Sequence, residues 1–308
     1  MLDKGIRVLN FDNSIIRQRR LLSLYPPEVI ELTRLAAAAR LYISGSFRNK
    51  ISNLIPEGQN YPVFIGSGDF HHISEILISR INAPACLIVF DFHPDWDILP
   101  PRFACGSWVK QVMENKNISK CVLIGMGSDD LSWTALQTAN LGALADNRLE
   151  IYPYRHKPSR IYFRRLAPNS SITVKGCFLL NEITWHQLEK EDLTDWTLKL
   201  IKRLPVRKVY ISIDKDCLKK DYALTNWEEG SLRLDQLLIM LRLIRENLDI
   251  IGLDVAGDYS AIEILNKIKA FISRVDHPKE FSARNCPADL IHSVNEQANL
   301  AILQEIFS

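Results

Sequence analysis

The sequence predicts an α/β fold, a three-layer α/β/α sandwich around a mainly parallel, doubly wound sheet. Three observations carry this reading. Short apolar, β-branched runs alternate with longer stretches of helical period along the whole chain. Several runs are apolar on both faces, as strands covered by helices on two sides must be. The residues capable of chemistry gather just after such runs, at the carboxyl edge where open α/β sheets bind ligands.

Strands are expected at 6–11, 62–66, 86–91, 121–126, 149–154, 177–180, 208–214 and 249–255. A helix is expected over 26–43, whose leading prolines suit a first helical turn. Another is expected over 72–81, where Ile73, Ile76, Leu77 and Ile81 share one face. The same period marks 192–204, 233–247 and 293–307. The periodicity is weak over 256–290, and part of that segment reads as loop.

A chain of 308 residues is long for one core but within the reach of a single α/β domain. An apolar fraction of 47% suffices to bury such a core. The net charge of +2 offers no bulk attraction to nucleic acid or an acidic membrane, so neither partner is expected. The run 85–90 is too short to cross a bilayer. The start, MLDKGIRVLNFD, lacks the apolar stretch of an export signal. Cys86, Cys105, Cys121, Cys177, Cys217 and Cys286 lie far apart with no CxxC pair. A cytoplasmic protein with reduced thiols is expected, with Cys86 and Cys121 in the core.

The strongest chemical signal is VFDFHPDWD at 89–97. Residues two apart on an extended strand end share a side, so Asp91, His93 and Asp95 converge. Carboxylate oxygen with imidazole nitrogen suits Mn, Fe or Zn. A second apolar run, at 209–213, leads into Asp214 and Asp216 with the same spacing. Lys215, Lys219 and Lys220 allow the bland alternative of a solvated turn there. Four carboxylates with one or two histidines can hold two divalent ions. The third signal is FIGSGDFHH at 64–72. Gly66 and Gly68 permit a tight strand-to-helix turn, Asp69 can cap the helix, and His71 or His72 enters its first turn.

In this order the motifs resemble the arginase–agmatinase (ureohydrolase) family within the wider arginase–deacetylase fold. That family carries a Gly-Gly-Asp-His turn, then Asp-x-His-x-Asp, then Ser-x-Asp-x-Asp. Here they stand as GSGDFHH, DFHPDWD and SIDKD with Ser212, and the likeness runs through 229–238 and 250–258. The resemblance implies one arginase-like domain over 1–308. It implies that Asp91 and Asp214 bridge two metals, that His71 or His72 with Asp95 completes one, and that His93 with Asp216 completes the other. The shorter insertion favours His71. The implied metal is manganese, with zinc or iron as substitutes, and the implied chemistry is attack of a metal-bound hydroxide on a C–N bond of a guanidino or amide substrate.

The departures are informative. Cys105 stands where many ureohydrolases have a proton-shuttling histidine. In an ungapped reading, Gln236 replaces the family's guanidinium-binding glutamate. Arginase activity is therefore not expected, and a non-catalytic relative binding metal or a small ligand is the alternative. The residues left as catalytic candidates are Cys105, Glu182 and Gln236. Glu182 follows the apolar run 178–180 and could reach the pocket. Trp96 could wall the pocket or simply pack. Asp254, inside an apolar strand, needs a partner if buried. A small-molecule substrate is the expected partner, and a homo-oligomer is left open.

Overall fold

The structure is a computed structural model that describes residues 2–57, 60–262, 269–270 and 286–308. Among these the strands are β1 (Ile6–Asn10), β2 (Pro27–Glu31), β3 (Tyr42–Ile43), β4 (Val63–Gly66), β5 (Ala85–Phe90), β6 (Phe103–Ala104), β7 (Ile118–Ile124), β8 (Leu149–Tyr152), β9 (Ser159–Tyr162), β10 (Ile172–Cys177), β11 (Leu180–Trp185), β12 (Lys208–Asp214) and β13 (Asp249–Ala256). Eight of them form one sheet in the order β2-β1-β4-β13-β12-β5-β7-β8. Every neighbouring pair in it is parallel.

Alternation along the strands divides the core. Ile88 and Phe90 of β5, Val122 and Ile124 of β7, and Val209, Ile211 and Ile213 of β12 face one side. There they meet α1 (Arg19–Leu24), α5 (Leu193–Arg203), α6 (Leu234–Asn247) and α7 (Ala288–Phe307) through residues such as Leu21, Trp196, Leu241 and Leu303. Leu87, Val89, Cys121, Leu123 and Tyr210 face the other side, against Ile78 of α3 (Ser74–Ile78) and Trp108 of α4 (Trp108–Val112). A third cluster packs α2 (Gly45–Leu54), through Ile51, near Leu9 and Ile65. Burial on both faces is what the uniformly apolar strands require.

Two expectations fail. The helix expected over 26–43 begins instead as edge strand β2, followed by short helical turns and β3. Pro27 is tolerated at a strand start on the sheet edge, and Val29 and Ile30 favour the strand that β1 templates. The strand expected at 177–180 is the turn between β10 and β11, which pair antiparallel and carry β9 on their other side. Phe178 and Leu179 there are exposed, so the apolar run misled. The weakly periodic segment 256–290 lies partly outside the described residues. Cys86 and Cys121 are buried. No helix among the described residues is long and apolar enough to cross a membrane.

Candidate metal centre

β4, β13, β12 and β5 are consecutive in the sheet, so their carboxyl ends form one continuous edge. Gly66, with φ of 93°, turns the chain out of β4. Ser67, not Asp69, caps the 3-10 turn Gly68–Ile73, its Oγ accepting from Asp69 N at 3.3 Å. Asp69 is used differently, in a buried ion pair with Arg40. Adjacent residues in a helical turn point about 100–120° apart, so the two histidines cannot share a target. His71 Nδ1 lies 3.1 Å from Asp91 Oδ2, 3.5 Å from Asp214 Oδ2 and 3.6 Å from Asp95 Oδ2. His72 turns away to Cys105, with Nδ1 and Sγ 3.5 Å apart.

The loops after β5 and β12 hold their acids with their own and each other's amides. His93 N donates to Asp91 Oδ1 at 2.7 Å, Phe92 N to Asp216 Oδ1 at 3.0 Å, and Asp216 N to Asp214 Oδ1 at 3.1 Å. Asp95 adopts a φ of 47°, uncommon for a residue with a side chain, and accepts from Trp108 Nε1 at 2.6 Å. Two glycines make room for Asp214. A Cβ on Gly68 would lie 2.7 Å from its Oδ2, and one on Gly257 would lie 2.4 Å from its Oδ1.

Two candidate ligand sets result. His71, Asp91 and Asp214 form one, and Asp91, His93 and Asp216 form the other, with the ligand atoms of each within 4.8 Å of one another. Asp91 belongs to both. Asp214 belongs only to the first, and Asp95 lies beside it without joining either set.

Each histidine presents Nδ1 to the acids and Nε2 to an outer partner. His71 Nε2 is 2.9 Å from Ser212 Oγ, which donates to Asp254 Oδ1 at 2.7 Å. A hydroxyl has one proton, so Ser212 Oγ must accept from His71 Nε2–H, which leaves Nδ1 as the inward donor atom of the neutral ring. Ser74 Oγ also donates to Asp254 Oδ1, at 2.8 Å. Asp254 Oδ1 thus has two buried hydroxyl donors. His93 Nδ1 is 3.0 Å from Asp216 Oδ2, and its Nε2 is 3.1 Å from Glu228 Oε2.

Asp91, Asp95, Asp214 and Asp216 are all buried. Burial, followed by the charge of Asp216, pushes Asp214 up to about 7. Burial and the charge of Asp91 push Asp216 up to about 6. Burial raises Asp91 and Asp95 too. Burial alone would depress the histidines, but hydrogen bonds and charges from these acids hold both well above the usual range. Among the described residues, no lysine or arginine lines the pocket around them. Asp91 Oδ2, although buried and 3.1 Å from His71 Nδ1, accepts no well-aligned hydrogen bond among the described residues. So much unbalanced negative charge, carried by carboxylate oxygens and imidazole nitrogens, fits divalent cations of the Mn, Fe or Zn type.

The pocket encloses about 410 Å³, and Trp227, Asp97, Asp129, Asp130 and Glu228 extend its lining beyond the central cluster. Cys105 also lines it, but burial holds the thiol well above its usual range, which disfavours a nucleophilic role. Glu182 lies outside the pocket, on β11, 3.9 Å from Arg160. Its strand belongs to the small antiparallel sheet, so the inference from the run 178–180 fails. Gln236 is also outside. It occupies the first turn of α6, where its Oε1 accepts from Arg233 N at 3.0 Å. Trp96 is core, and Trp227 provides the aromatic wall instead. Glu228 and Trp227 escaped the sequence reading. Their only signal is Gly230, where a Cβ would come within 2.0 Å of Cys217 O, which lets the chain fold back onto the loop after β12.

No protein-family model matches the chain. An uncharacterized protein of Thermotoga maritima is 26% identical over 264 residues, 85% of this chain and 83% of that one. Among solved structures, formimidoylglutamase of Bacillus subtilis superposes with a TM-score of 0.57 at 11% identity, covering 99% of this chain and 88% of that one. Arginase of Entamoeba histolytica gives 0.57 at 8% identity, covering 100% and 99%. Proclavaminate amidino hydrolase of Streptomyces clavuligerus gives 0.53 at 12% identity, covering 100% and 94%. The chain has the arginase-like α/β fold.

Proposed function

We propose that this chain is a binuclear-metal hydrolase acting on a C–N bond other than a peptide bond, in a guanidino, amidino or amide substrate. One observation carries the reading: two His/Asp ligand sets that share Asp91 at the carboxyl edge of the sheet. His71, Asp91 and Asp214 would hold one cation, with Asp95 beside them, and Asp91, His93 and Asp216 would hold the other. When bound, such cations lower the pKa of a water molecule and polarise the bond to be cleaved. The likeness to hydrolases of the same fold supports this class of chemistry by analogy.

The protein's own groups prepare the substrate. Asp97, Asp129 and Asp130 line the pocket, and none of its described lining residues is a lysine or arginine, so the site favours cationic groups over anions. Trp227, packed at 5.4 Å between ring centroids against His93, walls one side and limits water. Gln236 no longer bears on substrate choice, because it caps a helix. The argument against arginine as substrate therefore rests on Cys105 alone.

Cys105 also favours a second reading, a metal-binding relative without turnover. Its protonated thiol cannot do the work of the histidine that the family resemblance implies there. Hydrolysis assays on the manganese-loaded protein with guanidines, amidines and acetylated amines separate the two. Turnover lost in Asp91→Asn supports the hydrolase. Two bound ions without turnover on any of these substrates support the second reading.

A further inference from the structure

The two histidines are buttressed unequally. His71 leans on a buried pair, Ser212 and Asp254, each 0% exposed. His93 leans on Glu228, whose side chain is 42% exposed and lines the pocket. An exposed acid–histidine contact usually contributes little. This one is built in. Asn226, 1% exposed, anchors the segment before it: Asn226 Oδ1 accepts from Ser67 Oγ at 2.9 Å and Ser260 N at 2.9 Å, while Nδ2 donates to Ser260 O at 2.8 Å. Thr225 Oγ1 accepts from Trp227 N at 3.1 Å. The His93 ring is further confined by Phe92 and Trp227, with centroids 5.2 and 5.4 Å away.

We propose that Glu228 is a positioning residue for His93, and that it sets the affinity of the Asp91–His93–Asp216 site independently of the His71 site. An ionised carboxylate only accepts, so Glu228 keeps the proton on Nε2 and turns the Nδ1 lone pair toward Asp216 and Asp91. The His71 site has its own outer partners and shares only Asp91. The proposal rests on the two-ion reading above. It goes further by making the two sites chemically separable, one supported from the core and one from the substrate pocket.

The test is a manganese titration of the full-length protein, Glu228→Ala and Glu228→Gln, with bound metal measured at fixed free Mn²⁺. Electron paramagnetic resonance distinguishes a coupled pair from a single bound ion, and circular dichroism reports folding. In Glu228→Ala the ion of the Asp91–His93–Asp216 site should lose on the order of 10- to 100-fold in affinity, while the other binds as in the parent. At free Mn²⁺ that saturates the parent, the coupled signal should give way to that of one isolated ion. Glu228→Gln should fall between, because its amide oxygen still accepts from Nε2–H. Unchanged affinities in Glu228→Ala, a parallel loss of both ions, or a Gln variant no better than Ala would each overturn the proposal. A parent protein that never holds two ions would instead sink the two-ion reading itself.

Discussion

Gly257 and Asp214 are in contact at a distance that only glycine allows: a Cβ at position 257 would stand 2.4 Å from Asp214 Oδ1. Gly257 also sits at φ of 87°, where a side chain is strained. The turn after β13 thereby shapes the ligand supplied by β12. Gly257→Ala should displace Asp214, weaken the His71 site and destabilise the fold by about 1–3 kcal/mol. Metal content and urea denaturation measure the two effects. A variant with the parent's metal content would show that Asp214 has room to spare.

Ser212→Ala removes the group that orients His71. The ion held by His71, Asp91 and Asp214 should bind on the order of 10- to 100-fold more weakly. Asp254 loses one of its two serine donors at Oδ1, so stability should fall by about 1–3 kcal/mol. Calorimetric metal titration decides this, and an unaltered first binding step contradicts it.

The acids of the centre are poised to make metal binding and stability depend on pH. Asp214 and Asp216 are raised from 3.8 to about 7 and about 6. A folded-state pKa above the unfolded value means that the contribution to stability is complete below the unfolded pKa and is lost as pH rises through the folded one. The raised histidines act with the same sign. The metal-free protein should therefore become less stable as pH rises from about 4 to about 7 through these groups, while cations compete better with protons. The gain in Tm on adding Mn²⁺ should be larger at about pH 8 than at about pH 5. Equal gains would mean that the acids are not neutralised by metal.

Gln236→Ala separates two accounts of that residue. As a helix cap outside the pocket it should cost about 0.5–2 kcal/mol of stability and leave KM for any substrate unchanged. A raised KM with unaltered stability would return Gln236 to the binding site.

Much of this was legible in the chain for one physical reason. A strand buried on both faces has few polar residues of its own, so acids at its end stand out. Asp91, His93, Asp95, Asp214 and Asp216 are all of this kind, and the structure brings them together. Asp254 was legible as a charge inside an apolar strand that had to find partners. His71 was distinguishable from His72 only weakly, because the choice depends on the phase of a short 3-10 turn. Glu228 was not legible. Its place depends on a loop held by Asn226 and on the approach of Gly230 to Cys217, contacts that leave no periodic trace. Glu182 and Gln236 were misplaced because an apolar run and an ungapped count stood in for geometry. The run 177–180 is a hairpin turn, and Pro27–Glu31, the start of the segment expected to be helical over 26–43, pairs with β1 along the sheet edge.

The central claim is that Asp91 serves two cations at once, and the most direct test is the metal content of the purified protein beside Asp91→Ala. After loading with Mn²⁺ and removal of excess, the parent should hold about two ions per chain. Asp91→Ala should hold one or fewer, with its circular dichroism unchanged, because the residue lies just past a strand end rather than in the core packing. Asp216→Ala, which touches one ligand set, should keep at least one ion. A parent that binds no divalent ion, or an Asp91→Ala variant that still holds two, would contradict the account.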